Sequence, residues 1–214
     1  MRMPGRGLYA ITAGESGPTL SQRVAGYLRG GARVIQYRDK SGDTGRRQRE
    51  AGKLLSLCRQ AGVPLLINDD VGLAATVGAD GVHLGRDDAD IHIARKTLGA
   101  NAIIGVSCYN LIDRARQAVA GGADYVAFGS VFGSGTKPDA ARVELSLLTR
   151  ARQQLPCPIV AIGGITADNG AVVVAAGADL LAVIGGLQQG DPEQAARRID
   201  QCFIHPGPEE QPDS

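Results

Sequence analysis

Short apolar runs recur along the chain, and each leads into a loop rich in Gly, Asp or Asn and then into an amphipathic stretch. The runs are Leu8–Thr12, Val34–Arg38, Pro64–Asn68, Gly81–Leu84, Ile103–Ser107, Tyr125–Gly129, Pro158–Ile162 and Leu180–Ile184. Runs this short, bounded by turn residues, predict strands. The stretches between them predict helices near 19–29, 44–61, 70–77, 91–98, 111–120, 146–155, 166–176 and 192–203, most of them rich in the helix formers Ala, Leu, Arg and Gln. Several helices end on nearly the same hinge: Gly30-Gly31-Ala32, Ala61-Gly62-Val63, Val77-Gly78-Ala79-Asp80, Gly121-Gly122-Ala123-Asp124 and Ala176-Gly177-Ala178-Asp179. A glycine there fits the left-handed position just past a helix end, with the next strand starting at once.

Strands alternating with helices over short connections imply a parallel sheet with right-handed crossovers. Eight such units in about two hundred residues favour an α/β fold of the closed (β/α)8 type, the TIM barrel, over an open doubly wound sheet. No Gly-x-Gly-x-x-Gly follows the first strand, which argues against a dinucleotide fold. The 214 residues suit one domain, placed at 1–204. The last ten, 205–214, carry three prolines and several acids and predict a disordered tail.

Composition narrows the partners. The net charge is +1, which gives no reason to expect nucleic acid or an acidic membrane surface. No apolar run reaches the roughly 20 residues of a membrane helix, and the basic start, Met1 to Gly7, is not followed by a signal-length apolar stretch. Cys58, Cys108, Cys157 and Cys202 lie far apart with no Cys-x-x-Cys pair, so they read as thiols of a reducing, cytoplasmic compartment. Thirty glycines and no tryptophan suggest tight turns and close backbone approaches, as ligand loops require.

In such a barrel the chemistry sits at the carboxyl ends of the strands. The second run ends in Gln36-Tyr37-Arg38-Asp39-Lys40. Side chains of a strand alternate, so Gln36, Arg38 and Lys40 project together, an amide and two cations suited to a large anion. A solvated strand end would carry the same residues, and the row alone does not decide between them. The third run ends in Asn68-Asp69-Asp70, and the fourth leads into Arg86-Asp87-Asp88. These acids would face each other and suit a hard cation such as Mg2+, although Asp70 fits better as a helix cap. The fifth run ends at Ser107. The sixth leads into Gly133-Ser134-Gly135-Thr136-Lys137, a hydroxyl-rich loop with a terminal cation that lacks the P-loop spacing. A lid carrying Lys137 onto a phosphate is one reading of it. Gly163-Gly164 and Gly185-Gly186 stand where such barrels cradle phosphate on backbone N–H groups. A β-branched residue at position 164 would then obstruct that cradle alone. His83 is offset from Val82 and Leu84 and faces the barrel interior, where satisfaction by neighbours is the commoner role; His92 falls on a surface helix.

Taken in order, these pieces resemble the thiamine phosphate synthase family. That family's pattern is Gln-x-Arg-x-Lys, Asn-Asp, Val-His-x-Gly-x-x-Asp, Gly-Val-Ser, Thr-Lys and Ile-Gly-Gly-Ile. The chain has Gln36-Tyr37-Arg38-Asp39-Lys40, Asn68-Asp69, Val82-His83-Leu84-Gly85-Arg86-Asp87-Asp88, Gly105-Val106-Ser107, Thr136-Lys137 and Ile162-Gly163-Gly164-Ile165. The resemblance spans Leu8 to about Leu187.

It implies a barrel enzyme that joins hydroxymethylpyrimidine diphosphate to thiazole phosphate with release of diphosphate. Gln36, Arg38, Lys40, Asn68, Ser107 and Lys137 would hold the pyrimidine diphosphate. Ser134, Thr136, Gly164, Ile184 and Gly185 would hold the thiazole phosphate, and Asp69 and Asp88 the Mg2+. Tyr37, Asp39 and Gly135 lie inside the same motifs and count among the substrate-binding positions. The family mechanism is dissociative: diphosphate departs first and the thiazole nitrogen traps the pyrimidine cation. Arg38, Lys40 and Lys137 would then be the catalytic residues, neutralising the leaving group. The sequence departs from the family where Arg86 replaces Gln, Gly133 replaces Pro, Ser134 replaces Thr and Gly185 replaces Ser. A related thiazole tautomerase or a non-catalytic thiazole phosphate sensor shares the barrel. The tautomerase has no diphosphate to bind, so Gln36, Arg38, Lys40 and the Asp69/Asp88 pair argue against it. A sensor would be expected to lose Lys137 or a metal acid, and this chain keeps them.

Overall fold

The computed structural model describes residues 3–85, 90–133 and 142–204. Eight parallel strands close on themselves in sequence order: β1 (Gly7–Ile11), β2 (Val34–Tyr37), β3 (Leu65–Asn68), β4 (Gly81–Leu84), β5 (Ile103–Tyr109), β6 (Tyr125–Gly129), β7 (Ile159–Ile162) and β8 (Leu180–Val183). Outside them lie α1 (Gly17–Arg29), α2 (Thr44–Ala61), α3 (Val71–Val77), α4 (Ile91–Leu98), α5 (Ile112–Ala120), α6 (Leu145–Gln154), α7 (Gly170–Ala175) and α8 (Pro192–Gln201). The (β/α)8 barrel expected from the alternation is therefore the fold. Among the described residues no helix is long and apolar enough to cross a membrane. The tail placed at 205–214 lies outside the described residues.

Four of the helices, α2, α3, α4 and α8, begin where a short acid caps them. Asp43, Asp70, Asp90 and Asp191 accept hydrogen bonds from the backbone N–H groups of Arg46, Leu73, His92 and Gln194. Asp70 is thus the cap its position suggested. The hinges work as expected, with a refinement. In Gly30-Gly31 and Gly121-Gly122 only the second glycine is left-handed, at φ +97° and +92°, while the first still closes the helix. α7 is shorter than the sequence suggests, starting at Gly170 rather than at residue 166. Asn169 is the reason: its Oδ1 accepts from Thr166 N–H (2.8 Å) and its Nδ2 donates to Gly164 O (3.0 Å), holding 164–169 as a loop.

Two packed layers follow from strand alternation. Leu8, Ile35, Ile67, Val82, Ile104, Phe128 and Leu181 point outward, onto the helices. Tyr9, Ile11, Val34, Leu66, Ile103, Tyr125, Val160 and Leu180 fill the barrel interior.

The hinge aspartates tie the amino-terminal floor together. Asp80 accepts from Leu65 N–H (2.9 Å), Asp124 from Ile104 N–H (2.8 Å) and Asp179 from Ile159 N–H (2.8 Å). Each closes the start of a neighbouring strand whose N–H would otherwise lack a partner. Arg95 and Arg152 pair with the latter two at 2.7 and 2.8 Å.

Candidate active site

The carboxyl ends of the strands surround a cavity of about 500 Å3. Gln36, Arg38 and Lys40 line one wall together, as their alternation requires. The end of β2 is pinned to β1 by Thr12, whose hydroxyl oxygen accepts from Arg38 N–H at 2.9 Å. Gln36 is buried, and its Nε2 donates to the Tyr9 hydroxyl at 2.7 Å. Among the described residues Arg38 has no ion-pair partner, whereas Lys40 Nζ donates to Asp69 Oδ2 at 2.6 Å. Asn68 and Asp69 continue this wall. Asp69 sits at φ +63°, a left-handed backbone that aspartate tolerates better than most residues, and its N–H is held by His83 O at 2.8 Å.

Two positions from the same motif do not reach the cavity. The Tyr37 ring faces outward under α2, its hydroxyl donating to Glu50 Oε2 at 2.8 Å. Asp39 also turns away: one oxygen accepts from Arg46 (2.6 Å) and the other from Ser41 N–H (2.6 Å). Their place in the substrate-binding set is corrected by the same alternation that puts Gln36, Arg38 and Lys40 inside. Burial pushes the Asp39 carboxyl up, but the Ser41 and Arg46 hydrogen bonds outweigh it and hold the group at about 2.

His83 and Ser107 line the next sector, with His83 Nε2 2.9 Å from Ser107 Oγ. His83 is satisfied by neighbours and also faces the cavity. Arg114 clamps this rim from behind, donating to Ser107 O (2.8 Å) and Gly85 O (3.2 Å). Opposite, Gly163, Gly164, Ile184, Gly185 and Gly186 form a wall of backbone. Gly163 and Gly164 stand at φ +109° and +65°, and Gly185 opens a short 3-10 turn, Gly185–Leu187. A Cβ at Gly163 would lie 2.2 Å from Ser130 Oγ, and one at Gly164 2.2 Å from Gly133 O. The glycines at 163 and 164 are therefore required by the sixth loop's close approach as well as by their own φ. Gly185 differs: nothing lies within 4 Å of a Cβ built there.

Arg86, Asp87, Asp88, Ser134, Gly135, Thr136 and Lys137 lie outside the described residues. Among the described residues no three His, Cys, Asp or Glu side chains gather as a metal site. Sequence reasoning passed over Tyr9, Tyr109 and Ser130, which also line the cavity. The period-two pattern carries Tyr9 inward with Ile11. Ser130 Oγ is buried without a hydrogen-bond partner among the described residues, and nothing in the sequence marked it.

A parallel barrel whose mouth brings an amide, two cations and a wall of glycine backbone to one cavity is built to hold small anionic molecules. The model of the thiamine monophosphate synthase family matches residues 8–187. Thiamine-phosphate synthase from Chromobacterium violaceum is 56% identical over 199 residues, covering 92% of this chain and 96% of that protein. The Halorhodospira halophila protein of the same name is 54% identical over 194 residues, covering 90% and 92%. Among solved structures, thiamine phosphate pyrophosphorylase from Pyrococcus furiosus superposes with a TM-score of 0.84 at 34% identity, covering 92% of this chain and 95% of that one. The chain belongs to the thiamine monophosphate synthase family, transferases of thiamine biosynthesis.

Proposed function

We propose that the chain joins hydroxymethylpyrimidine diphosphate to thiazole phosphate, releasing diphosphate and forming thiamine phosphate. The observation that carries this reading is the row Gln36, Arg38 and Lys40 on one cavity wall, with the glycines of β7 and β8 lining the same cavity. The row suits the pyrimidine diphosphate. Arg38 offers a planar fork to phosphate oxygens, and Gln36 offers an amide to the ring. Asn68 and Ser107 add neutral hydrogen-bonding groups from β3 and β5. Gly164, Ile184 and Gly185 suit the thiazole phosphate, with Ser134, Gly135 and Thr136 assigned to the same substrate by their place in the motif. Lys137 is assigned to the diphosphate on the same ground.

Asp69 fits a Mg2+ ion: it is a hard oxygen donor on the cavity wall beside Asn68, and such ions take one or two protein carboxylates plus substrate phosphates. Asp88 would be the second carboxylate. When bound, the ion would offset the charge of the departing diphosphate. Arg38 and Lys40 do the same from the protein side, and Lys40 does so after exchanging Asp69 for phosphate oxygen. The two walls hold the two substrates in one cavity, so that bond formation needs positioning rather than a base. The four cysteines are all buried thiols, in keeping with a cytoplasmic enzyme.

The test supplies purified protein with both substrates and Mg2+ and follows diphosphate. Release that depends on thiazole phosphate and stops in excess chelator is the expected result. Asp69→Ala should lower the rate at least tenfold, in line with the loss of a charged ligand. Diphosphate release indifferent to thiazole phosphate would overturn the reading.

A further inference from the structure

Beneath the mouth runs a line of polar side chains that diphosphate departure does not itself require. Gln36 Nε2 donates to the Tyr9 hydroxyl at 2.7 Å, and the Tyr9 and Tyr125 hydroxyls are 2.8 Å apart. Tyr125 in turn lies 2.8 Å from His83 Nδ1, and His83 Nε2 lies 2.9 Å from Ser107 Oγ. The line crosses the barrel through β2, β1, β6, β4 and β5. Tyr9, Gln36, His83 and Ser107 reach the cavity wall; Tyr125 does not. Its ring fits only because residue 105 is glycine, where a Cβ would lie 1.9 Å from the ring. The His83 ring stacks on it, 5.7 Å between centroids, and Tyr9 meets it edge-on at 5.9 Å. Burial raises both phenols above their ordinary range, so neither breaks the line by ionising.

A hydroxyl has one proton to donate, and where each hydroxyl spends that proton inside the line, the direction at one end sets the direction of every bond after it. Gln36 gives an amide N–H to Tyr9, which leaves Tyr9 to donate to the other hydroxyl it touches, Tyr125. Tyr125 then donates to His83 Nδ1, which must be the bare nitrogen. A neutral imidazole in that state carries its proton on Nε2 and donates it to Ser107. The proton of Ser107 is thereby released to point at the cavity, while Gln36 keeps its carbonyl oxygen and second N–H for the ligand. Turning the Gln36 amide round would reverse every bond. His83 would then carry its proton on Nδ1, and Ser107 would give its own proton to Nε2.

We propose that Tyr9, Tyr125 and His83 form a one-way hydrogen-bond relay from Gln36 to Ser107, in which Tyr125 and His83 are positioning residues. The relay fixes which way round the Gln36 amide is presented and makes Ser107 a donor. The wall it prepares takes a flat ring edge with adjacent donor and acceptor groups, next to an acceptor for Ser107. This rests on the coupling reaction proposed above for the identity of the ligand.

The tautomer is measurable without turnover. The chain has three histidines, His83, His92 and His205, so 15N spectra of the labelled protein are assignable with His92→Gln and His205→Gln variants. At mildly alkaline pH the expected result is a protonated Nε2 and a bare Nδ1 on His83; the opposite pattern overturns the relay. This outcome stands apart from the proposed reaction, because it is read on the unmodified protein even if no product forms. The second arm is steady-state kinetics of Tyr125→Phe. KM for the pyrimidine diphosphate should rise roughly tenfold or more, with KM for thiazole phosphate within about twofold and the single His83 tautomer lost. An equal rise in both KM values, or an unchanged tautomer, would make Tyr125 a packing residue only. The third compares His83→Gln, whose amide N–H can replace Nε2–H toward Ser107, with His83→Leu. Greater activity in His83→Gln supports the relay, and equal loss overturns it.

Discussion

At the floor of the barrel Asp80, Asp124 and Asp179 repeat one arrangement, each accepting a backbone N–H from a strand start, two of them with an arginine beside them. At the mouth the polar side chains do not repeat. β2, β3 and β5 end in Gln36 and Arg38, in Asn68 and in Ser107, and only the glycines after β7 and β8 recur. The floor charges are fully committed to the fold. At the mouth, Arg38 has no ion-pair partner among the described residues, although it lines the cavity. Repetition thus accompanies stability, and irregularity accompanies recognition, as expected for the two faces of such a barrel.

Arg38 gives the largest expected break in this contrast. Arg38→Ala should reduce kcat/KM roughly a hundredfold or more, because charge-assisted bonds to phosphate are among the stronger hydrogen bonds. The melting temperature should hardly change, since no ion pair among the described residues depends on the side chain. Arg38→Lys should recover only part of the loss, the planar fork being absent. Full recovery by lysine would mean that the side chain acts as a point charge, and a large fall in melting temperature would put Arg38 with the floor residues.

The two glycine positions at the other wall separate space from conformation. Valine at Gly164 should damage both substrates: its Cβ would press on Gly133 O at 2.2 Å and Phe132 Cβ at 3.0 Å, displacing the sixth loop. That overturns the simpler expectation of an effect on the phosphate cradle alone. Serine at Gly185 has open space and no positive φ to oppose it. Gly185→Ser should therefore fold normally and lower KM for thiazole phosphate a few-fold, by about the worth of one hydrogen bond. Separate titration of the two substrates distinguishes these outcomes, and a rise in KM for Gly185→Ser would remove that strand end from the cradle.

Much of this contrast is legible in the sequence, for physical reasons. Strand positions follow from short apolar runs between turn residues, and all eight runs overlap observed strands. Alternation correctly sent Gln36, Arg38 and Lys40 to one side. The same rule, applied to Tyr37 and Asp39, would have removed them from the site; motif membership hid what alternation made plain. Tyr9 and Tyr125 were not legible as a pair, because their contact spans 116 positions and depends on barrel closure and on the gap left by Gly105. The late start of α7 was equally hidden, since it rests on the Asn169 side chain turning back to Gly164 and Thr166.

Asp39 sharpens the comparison with the smallest expected effect, because it sits one residue from Arg38 yet is bonded like a floor acid. Its carboxylate joins the end of β2 to the first turn of α2 through Arg46 and Ser41, and the side chain is only 9% exposed. The folded group titrates at about 2, below the roughly 3.9 of an unfolded aspartate. The sign follows from that depression. The unfolded chain binds the proton more readily, so the contribution to stability is complete above about pH 4 and is lost as pH falls toward 2. Asp39→Asn removes this pH-dependent contribution and should cost about 1–2 kcal/mol near neutral pH, the range of a charge-assisted hydrogen bond. Urea unfolding of the two proteins at pH 7, 5 and 3 reads the prediction directly. The gap in stability should be constant between pH 7 and 5 and narrower at pH 3. A gap that widens on acidification would show that Asp39 is protonated more easily in the fold than in the open chain, and its assignment to the structural acids would fail.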